Sequence, residues 1–148
     1  KNEQITNDEE ILLFMAARLN HLNNIIYPAL KSGKIVISDR YADSTFVYQG
    51  YVNNYGMNKS INLHKLLLKN FLPNKTFLFL LSPEKINERL KKRKPSNKYD
   101  KLNLTFHKKV NQGYRKLSKN DKRFYLINAS NTIEKIQKEI INVLKTIK

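Results

Sequence analysis

The sequence contains no cysteine and no tryptophan, and only four glycines and four prolines among 148 residues. The lack of cysteine excludes a disulfide framework and a thiolate metal site. The histidines, His21, His64 and His107, show no metal-ligand spacing. No apolar run approaches the roughly 20 residues that cross a bilayer, and the first residues have neither a basic leader nor an apolar signal core. We therefore predict a soluble, cytoplasmic protein without membrane contact.

Acidic residues are also scarce. The sequence contains 12 Asp and Glu and 28 Lys and Arg, which gives a formal net charge of +16. Such an excess is typical of proteins that bind nucleic acid or another polyanion. Here the lysines are spread along the chain, and an AT-rich genome would give the same abundance of Lys, Asn and Ile without any binding role. We do not expect a nucleic-acid partner on this ground, and a basic nucleic-acid-binding module stays as an alternative function.

Hydrophobic periodicity divides the chain into helices that alternate with short apolar strands. Thr6 and Glu9 predict a capping box that begins a helix from about Asn7 to Leu30. This alternation predicts an α/β fold with a parallel sheet, and the length predicts a single domain over residues 1–148. Further helices are predicted at 61–71, from Ser82, at 104–117 and from Asn131 to about 147, and strands at 34–38, 76–81 and 124–127.

Two motifs carry the chemistry that the sequence offers. LFMAAR at 13–18 lies on the first predicted helix, and DRYADSTFVYQG at 39–50 follows the predicted strand at 34–38. Phe14 and Arg18 are four residues apart and share a helix face, where a ring could stack on a base and a guanidinium could hydrogen-bond its edge. Asp39-Arg40 would lie beyond the carboxyl end of a strand, where open α/β sheets bind ligands. The plainer alternatives are a core aromatic, a surface cation and a local salt bridge.

Together, at this separation, the two motifs resemble those of bacterial-type thymidylate kinases, in which a Leu-Phe-x-Ala-x-Arg helix precedes Asp-Arg-aromatic, Ser-Thr and Tyr-Gln-Gly. The resemblance extends from about Glu9 to Ile141 and includes a helix, a lid and a following helix at 82–117. It implies the three-layer fold of P-loop nucleoside monophosphate kinases. It also implies transfer of the γ-phosphoryl group of ATP to thymidine monophosphate (dTMP), giving the diphosphate, with Mg²⁺, in a homodimer.

The resemblance assigns a role to each matching side chain. Arg40 is implied to bind the phosphate of dTMP, and Tyr48 to pack near the sugar, where it would disfavour a 2′-hydroxyl. Asp39 is implied to be a catalytic carboxylate that orients magnesium or its waters. The full set of residues that the resemblance places at dTMP is Phe14, Arg18, Arg40, Thr45, Tyr48 and Gln49.

A lid segment is expected at about 89–102, within the same single domain. Cations that a lid brings over a transferring phosphoryl group lower the barrier, because charge spreads over its oxygens. By resemblance Arg93 is a catalytic lid arginine, and Arg89 and Lys98 lie near ATP. The family's usual Gly and Asp-Arg-x-Glu are replaced by Lys94 and NKYD at 97–100, so the bidentate geometry of arginine is lost at Lys98. A solvated basic loop is the alternative.

The sequence contains no G-x-x-x-x-G-K-[ST] motif. Without it the chain has no converging backbone N–H groups to hold the phosphates and no P-loop lysine. In the family the corresponding segment also supplies the first strand, which lies at the centre of the sheet. We therefore expect an N-terminally truncated fold with that strand missing, a fragment of a longer gene product that does not transfer phosphate by itself. An inactive truncated relic is the alternative.

Overall fold

A computed structural model describes residues 5–91, 103–119 and 121–146. The chain divides into two compact units, Lys1–Leu72 and Pro73–Lys148, and each is described by itself. The single domain expected from the length stays a prediction.

The elements in chain order are α1 (Asn7–His21), a first π-helical segment (Leu22–Ile26), α2 (Tyr27–Lys31), α3 (Ala42–Thr45), a second π-helical segment (Phe46–Val52), α4 (Met57–Leu68), β1 (Thr76–Leu80), α5 (Pro83–Lys91), α6 (Leu104–Ser118), β2 (Phe124–Asn128) and α7 (Ile133–Leu144).

The first unit begins with the predicted long helix, which is confirmed. The backbone N–H and the hydroxyl of Thr6 donate to Glu9 Oε2 at 2.7 Å, and the Glu9 N–H donates back to Thr6 Oγ1 at 3.2 Å. These hydrogen bonds lower the pKa of Glu9, because they favour its charged form. From this capping box α1, the first π-helical segment and α2 follow one another to Lys31.

The core of the first unit lies along the buried side of this helix. Ile11, Met15, Leu22 and Ile26 are buried together with Leu68 from α4. Their spacing of four or seven residues keeps them on one face, as the periodicity predicted. That face fixes α1 against α4, and it leaves the other sides of α1 available for polar contacts.

The strand predicted at 34–38 is wrong. These residues form neither helix nor strand, and Ile35 and Ile37 are 91% and 90% exposed. A strand needs a neighbour that takes its backbone hydrogen bonds, and the described residues of the first unit contain no strand to pair with. The short apolar run therefore predicted a burial that these residues do not have.

Residues 42–52, for which no helix or strand was predicted, are helical. The widened π-helical turns of residues 46–52 are a feature that occurs frequently at functional sites. Gly50 lets this segment pack closely, because a Cβ there would come within 2.5 Å of Ser60 Oγ and 3.1 Å of Met57 Cα. A glycine at this position thus holds the second motif against the start of α4.

Helix α4 begins and ends earlier than predicted. It starts at Met57, four residues before the predicted start at 61. It ends at Leu68, because Lys69 and Asn70 adopt left-handed backbone conformations with φ of 50° and 56°. The prediction of an end at 71 was wrong, because Lys69 and Asn70 terminate the helix without a glycine.

The second unit is built on a parallel pair of strands. β1 and β2 pair from Thr76↔Phe124 to Leu80↔Asn128, which confirms the predicted strands at 76–81 and 124–127 and their parallel direction. The described residues hold these two strands where the sequence predicted three. Arg123 secures the sheet's start by donating to Thr76 Oγ1 at 2.6 Å and by an ion pair of 3.1 Å with Asp121.

Each helix of the second unit begins after a residue whose side chain caps its amino-terminal end. Ser82 accepts from the Lys85 N–H at 3.3 Å, as predicted for α5, and Asn103 accepts from the Phe106 N–H at 3.0 Å to begin α6. The cap of α7 is Thr132 instead of the predicted Asn131, because Thr132 Oγ1 accepts from the third N–H of the helix. Within the described ranges, no helix combines the length and the apolarity that a membrane span needs.

Candidate active site

Arg18 and Thr45 bring the two sequence motifs together within the first unit. Arg18 lies near the end of α1, and its Nη2 donates to Thr45 Oγ1, at the end of α3, across 2.7 Å. The two residues are 27 positions apart in the sequence, so this contact depends on the fold. A guanidinium donates through five N–H groups in a fixed plane, and one of them is held here by a buried hydroxyl.

The surroundings of Arg18 are half-buried and aromatic. Its guanidinium carbon lies 5.4 Å from the centroid of the Tyr41 ring, and the buried carboxylate of Asp43 acts on its charge. Burial lowers the pKa of Arg18, while the charges of Tyr41 and Asp43 oppose that shift. Burial in turn raises the pKa of Tyr41. Arg18 is therefore a partly desolvated cation, whose hydrogen bonds are stronger than those of a fully solvated arginine.

Tyr41 adds a polar atom to this cluster. Its hydroxyl is buried and has no hydrogen-bond partner within the ranges that the structure describes. Buried hydroxyls are nearly always hydrogen-bonded, so an orphan one beside a desolvated arginine is typical of a site that a polar ligand completes. Its ring also packs edge-on against His64, at 6.2 Å between centroids, which fixes its direction.

Gln49 is oriented by a contact of its own. The side-chain amide of this buried residue donates to Glu10 Oε2, on α1, at 3.0 Å. Phe14, one turn before Arg18, is 42% exposed and does not belong to the buried core. The plainer alternative of a core aromatic is therefore wrong for Phe14. The helix presents a ring and a guanidinium on one side, as the spacing predicted.

Arg40 has an unusual backbone. Its φ of 69° lies in the left-handed region, which costs a non-glycine residue about 1–2 kcal/mol. The side chain is exposed, its Nε donates to Ser44 Oγ at 3.0 Å, and its guanidinium carbon lies 4.7 Å from the Tyr48 ring centroid. Strain of this kind clusters at functional sites. The Asp39–Arg40 salt bridge is not among the ion pairs of the described residues, which leaves the guanidinium's terminal amino groups for a phosphate.

Asp39 stands next to Arg40 and is exposed. The described residues hold no group of three His, Cys, Asp or Glu side chains that could form a metal site. A single carboxylate matches Mg²⁺ that is held mainly by substrate phosphates, since magnesium uses one or two carboxylates in such sites. Asp39 thus fits a magnesium ion only in company with a nucleotide.

In the second unit Arg89 lies at the carboxyl end of the parallel strands. Its Nη2 donates to the carbonyl oxygen of Ala129, directly after β2, at 2.9 Å. Ligands of α/β sheets bind at this edge, so the position suits a nucleotide contact. Arg93 and Lys98, and most of the segment expected as a lid, lie outside the described residues.

Three residues of the first unit belong to the cluster although neither motif assigned them a role. They are Tyr41 and Asp43 around Arg18, and Glu10 at Gln49. The aromatic position after Asp39-Arg40 was the signal that could have indicated Tyr41. Asp43 and Glu10 carry no such signal, because their positions depend on how α3 packs against α1.

Comparisons with known proteins identify the family of this chain. The thymidylate kinase family model matches residues 1–140. The chain belongs to the thymidylate kinase family. It is 43% identical over 150 residues to the thymidylate kinase of Aster yellows witches'-broom phytoplasma (strain AYWB), and the match covers 99% of this chain and 72% of that protein.

Two further relatives carry the same name. The thymidylate kinase of Mycoplasma capricolum subsp. capricolum is 39% identical over 147 residues, covering 97% of this chain and 69% of its own length. That of Thermoanaerobacter sp. (strain X514) is 36% identical over 146 residues, covering 98% and 71%. Membership in the thymidylate kinase family implies the P-loop nucleoside monophosphate kinase fold. The described residues contribute an α/β arrangement with a two-stranded parallel sheet.

Proposed function

We propose that this chain takes part in the ATP-dependent phosphorylation of dTMP to its diphosphate and that its first unit binds dTMP. The observation that carries the proposal is the 2.7 Å hydrogen bond from Arg18 to Thr45. It joins the two motifs that resemble those of thymidylate kinases, and it places a half-buried guanidinium beside the orphan hydroxyl of Tyr41. The family membership and the relatives' names support the same substrate.

The base is recognised by stacking and by hydrogen bonds. The exposed ring of Phe14 stacks on thymine, and Arg18, one helical turn away, donates to a carbonyl oxygen at its edge. Thr45 positions Arg18 and contacts the base, while Glu10 holds the amide of Gln49 in one orientation. A site with several preset polar groups discriminates strongly, since an incorrect base leaves those groups unpaired.

The phosphate of dTMP is bound by Arg40. The Tyr48 ring beneath the guanidinium fixes its plane, and the strained backbone aims the side chain outwards. Tyr48 packs near the sugar, where its ring disfavours a 2′-hydroxyl. Asp39 orients magnesium or its waters next to the phosphates when the nucleotides are bound. Magnesium supplies neutralisation of the charge that develops on the phosphoryl oxygens.

The phosphoryl donor is ATP, and Arg89, Lys98 and the catalytic Arg93 are the residues that contact it in this proposal. Cations at these positions stabilise the charge of the transferring group. Because this sequence contains no G-x-x-x-x-G-K-[ST] motif, the 148-residue chain by itself binds dTMP without turning it over. A cytoplasmic homodimer belongs to the same proposal.

Replacing Phe14 by alanine is expected to weaken dTMP binding roughly tenfold. Loss of base–aromatic stacking costs about 1–3 kcal/mol, and the lower half of that range applies to a ring that is partly exposed. The dissociation constant is measured by isothermal titration calorimetry of the chain with dTMP. Because the ring lies outside the buried core, thermal unfolding is expected to stay within about 0.5 kcal/mol of the unchanged protein.

The matched control is Leu13→Ala. Leu13 is 59% exposed and precedes Phe14 on α1, but it points to a different side of the helix. The Leu13→Ala variant therefore removes exposed apolar area from α1 without changing the side of the helix that carries Phe14 and Arg18. Equal affinity losses in the two variants, or no loss in either, would show that Phe14 does not stack on the base.

A further inference from the structure

The net charge of the protein is divided unevenly between its two units. Residues 1–72 carry 8 Lys and Arg and 6 Asp and Glu, whereas residues 73–148 carry 20 and 6. The excess of positive charge is therefore 2 in the first unit and 14 in the second. The scatter of lysines along the sequence as a whole hides this division.

The base composition of the gene does not account for it. An AT-rich genome raises Lys, Asn and Ile together and in every part of a gene. The two units contain 10 and 9 Asn and 7 and 7 Ile, but 6 and 16 Lys. Outside the segment at 89–102 the second unit still holds 11 Lys. Of these three residue types, only lysine is more abundant in the second unit than in the first. The excess of lysine therefore has a cause other than codon usage.

Helix α6 carries part of this charge on one exposed face, named here the α6 surface. It consists of Lys108, Gln112, Arg115 and Lys119, all exposed, at successive steps of three or four residues. The helix contains no Asp or Glu. From Lys108 to Lys119 the surface extends about 16 Å along the helix axis. That length corresponds to about five phosphates on one strand of a duplex.

The local structure holds the central cation of this surface in place. Arg115 Nε donates to Asn111 Oδ1 at 2.9 Å, and the amide of Asn111 donates in turn to the carbonyl of Leu81, after β1, at 2.8 Å. The guanidinium is thus tied to the sheet through one side chain. Lys108 faces Glu84 of α5, whose pKa is lowered chiefly by its own backbone N–H and by Ser82, with a small further effect of Lys108.

The α6 surface lacks the apolar area that other partners need. The large apolar side chains exposed in the described residues include none from α6. A basic helix that lies on a membrane inserts apolar side chains, and the centre of a protein–protein interface is apolar and poor in charge. Cations and amides without apolar neighbours are instead suited to bind the phosphodiester backbone of a nucleic acid.

We propose that the α6 surface binds the phosphodiester backbone of a nucleic acid without reading its bases. Lys108, Arg115 and Lys119 neutralise successive phosphates, and Gln112 donates to the backbone between them. The residues of this surface belong to the second unit, whereas Arg18 and Arg40 belong to the first. This binding adds an activity to the kinase function and does not depend on it.

The experiment compares the chain with the triple variant Lys108→Gln, Arg115→Gln, Lys119→Gln. Glutamine has nearly the helix propensity of lysine and arginine, so α6 is retained. Binding of short labelled DNA and RNA duplexes of arbitrary sequence is measured by fluorescence anisotropy between about 50 and 200 mM salt. Loss of three phosphate contacts is expected to reduce the slope of log K against log salt by about 2–3, because each contact contributes about 0.9.

The control variant, Lys31→Gln, Lys34→Gln, Lys65→Gln, removes the same charge from exposed positions of the first unit. It is expected to change the slope by less than about one. A similar change in both variants would overturn the proposal, because it would show diffuse charge instead of a surface. Absence of duplex binding at the lowest salt, or tighter binding to anionic lipid vesicles, would also overturn it. A decrease of the slope in the α6 variant alone would support the proposal. The tighter binding of either the DNA or the RNA duplex would then show which nucleic acid the surface prefers.

Discussion

Replacing Arg40 by glycine is expected to weaken dTMP binding by about 30-fold or more while slightly raising the stability of the protein. Hydrogen bonds to charged groups contribute about 1.5–3 kcal/mol each, which the variant loses at the phosphate. At the same time glycine relieves the backbone at a φ of 69°, where a side chain costs about 1–2 kcal/mol. Affinity and stability therefore change in opposite directions. Calorimetric titration with dTMP and thermal unfolding measure the two quantities.

Lys69→Gly provides a matched control for this variant. Lys69 is also an exposed cation of the first unit with a left-handed backbone, at a φ of 50°. Its replacement removes the same charge and the same kind of strain but no residue of the proposed site. It is expected to leave the affinity for dTMP within about twofold, since an exposed charge outside the site acts on the nucleotide only through solvent and salt screening. A loss of affinity equal to that of Arg40→Gly would reduce the role of Arg40 to its charge alone.

Replacing Arg18 by methionine is expected to abolish measurable dTMP binding, with a loss of about 100-fold or more. The variant removes both the donors to the base and the 2.7 Å bond that fixes Thr45, and each charge-assisted bond in a desolvated site contributes about 1.5–3 kcal/mol. The stability effect is smaller. Methionine keeps the aliphatic stem, and removing a half-buried charge returns part of its desolvation cost, so unfolding is expected to change by less than about 1.5 kcal/mol.

Lys65→Met controls for the loss of a helical cation in the same unit, because Lys65 is exposed on α4. Thr45→Ser keeps the hydroxyl that Arg18 contacts, and its affinity is expected to fall less than threefold. If Arg18→Met binds dTMP as tightly as the unchanged chain and is equally folded, Arg18 is a structural cation, and the assignment of the base site to α1 fails.

The sequence predicted most elements whose formation depends on local signals. The capping box at Thr6 and Glu9, the core face from Ile11 to Ile26 and the parallel strands at 76–81 and 124–127 are confirmed. Helix propensity, side-chain caps and hydrophobic spacing act over a few residues, so a single sequence reveals them. The pairing of Phe14 with Arg18 on one side of α1 follows from the same short-range geometry.

The errors arose where distant parts of the chain decide the outcome. An apolar run at 34–38 predicted a strand, but pairing depends on a neighbouring strand, and Ile35 and Ile37 are left exposed. The helical turns at 42–52 were missed because Gly50 weakens local helix propensity, although its lack of a side chain permits the contact with Ser60. Lys69 and Asn70 end α4 without glycine, which sequence signals for helix ends do not capture.

The candidate site was predictable as a set of residues but not as an arrangement. The motifs named Arg18, Thr45 and Gln49 through their resemblance to a family, and no spacing rule predicts that Arg18 donates to Thr45. The contribution of Tyr41, Asp43 and Glu10 follows from the packing of α3 and the second π-helical segment against α1. Arg93 and Lys98 stay predictions, because they lie outside the described residues.

Calorimetric titration of the folded 148-residue chain with dTMP decides whether the first unit binds this nucleotide. Circular dichroism and thermal unfolding first establish that the sample is folded. We expect saturable one-to-one binding, which Leu13→Ala retains, Phe14→Ala weakens and Arg18→Met weakens further. A folded chain that releases no binding heat and shows no dTMP-dependent rise in its unfolding temperature would show that the first unit does not bind dTMP.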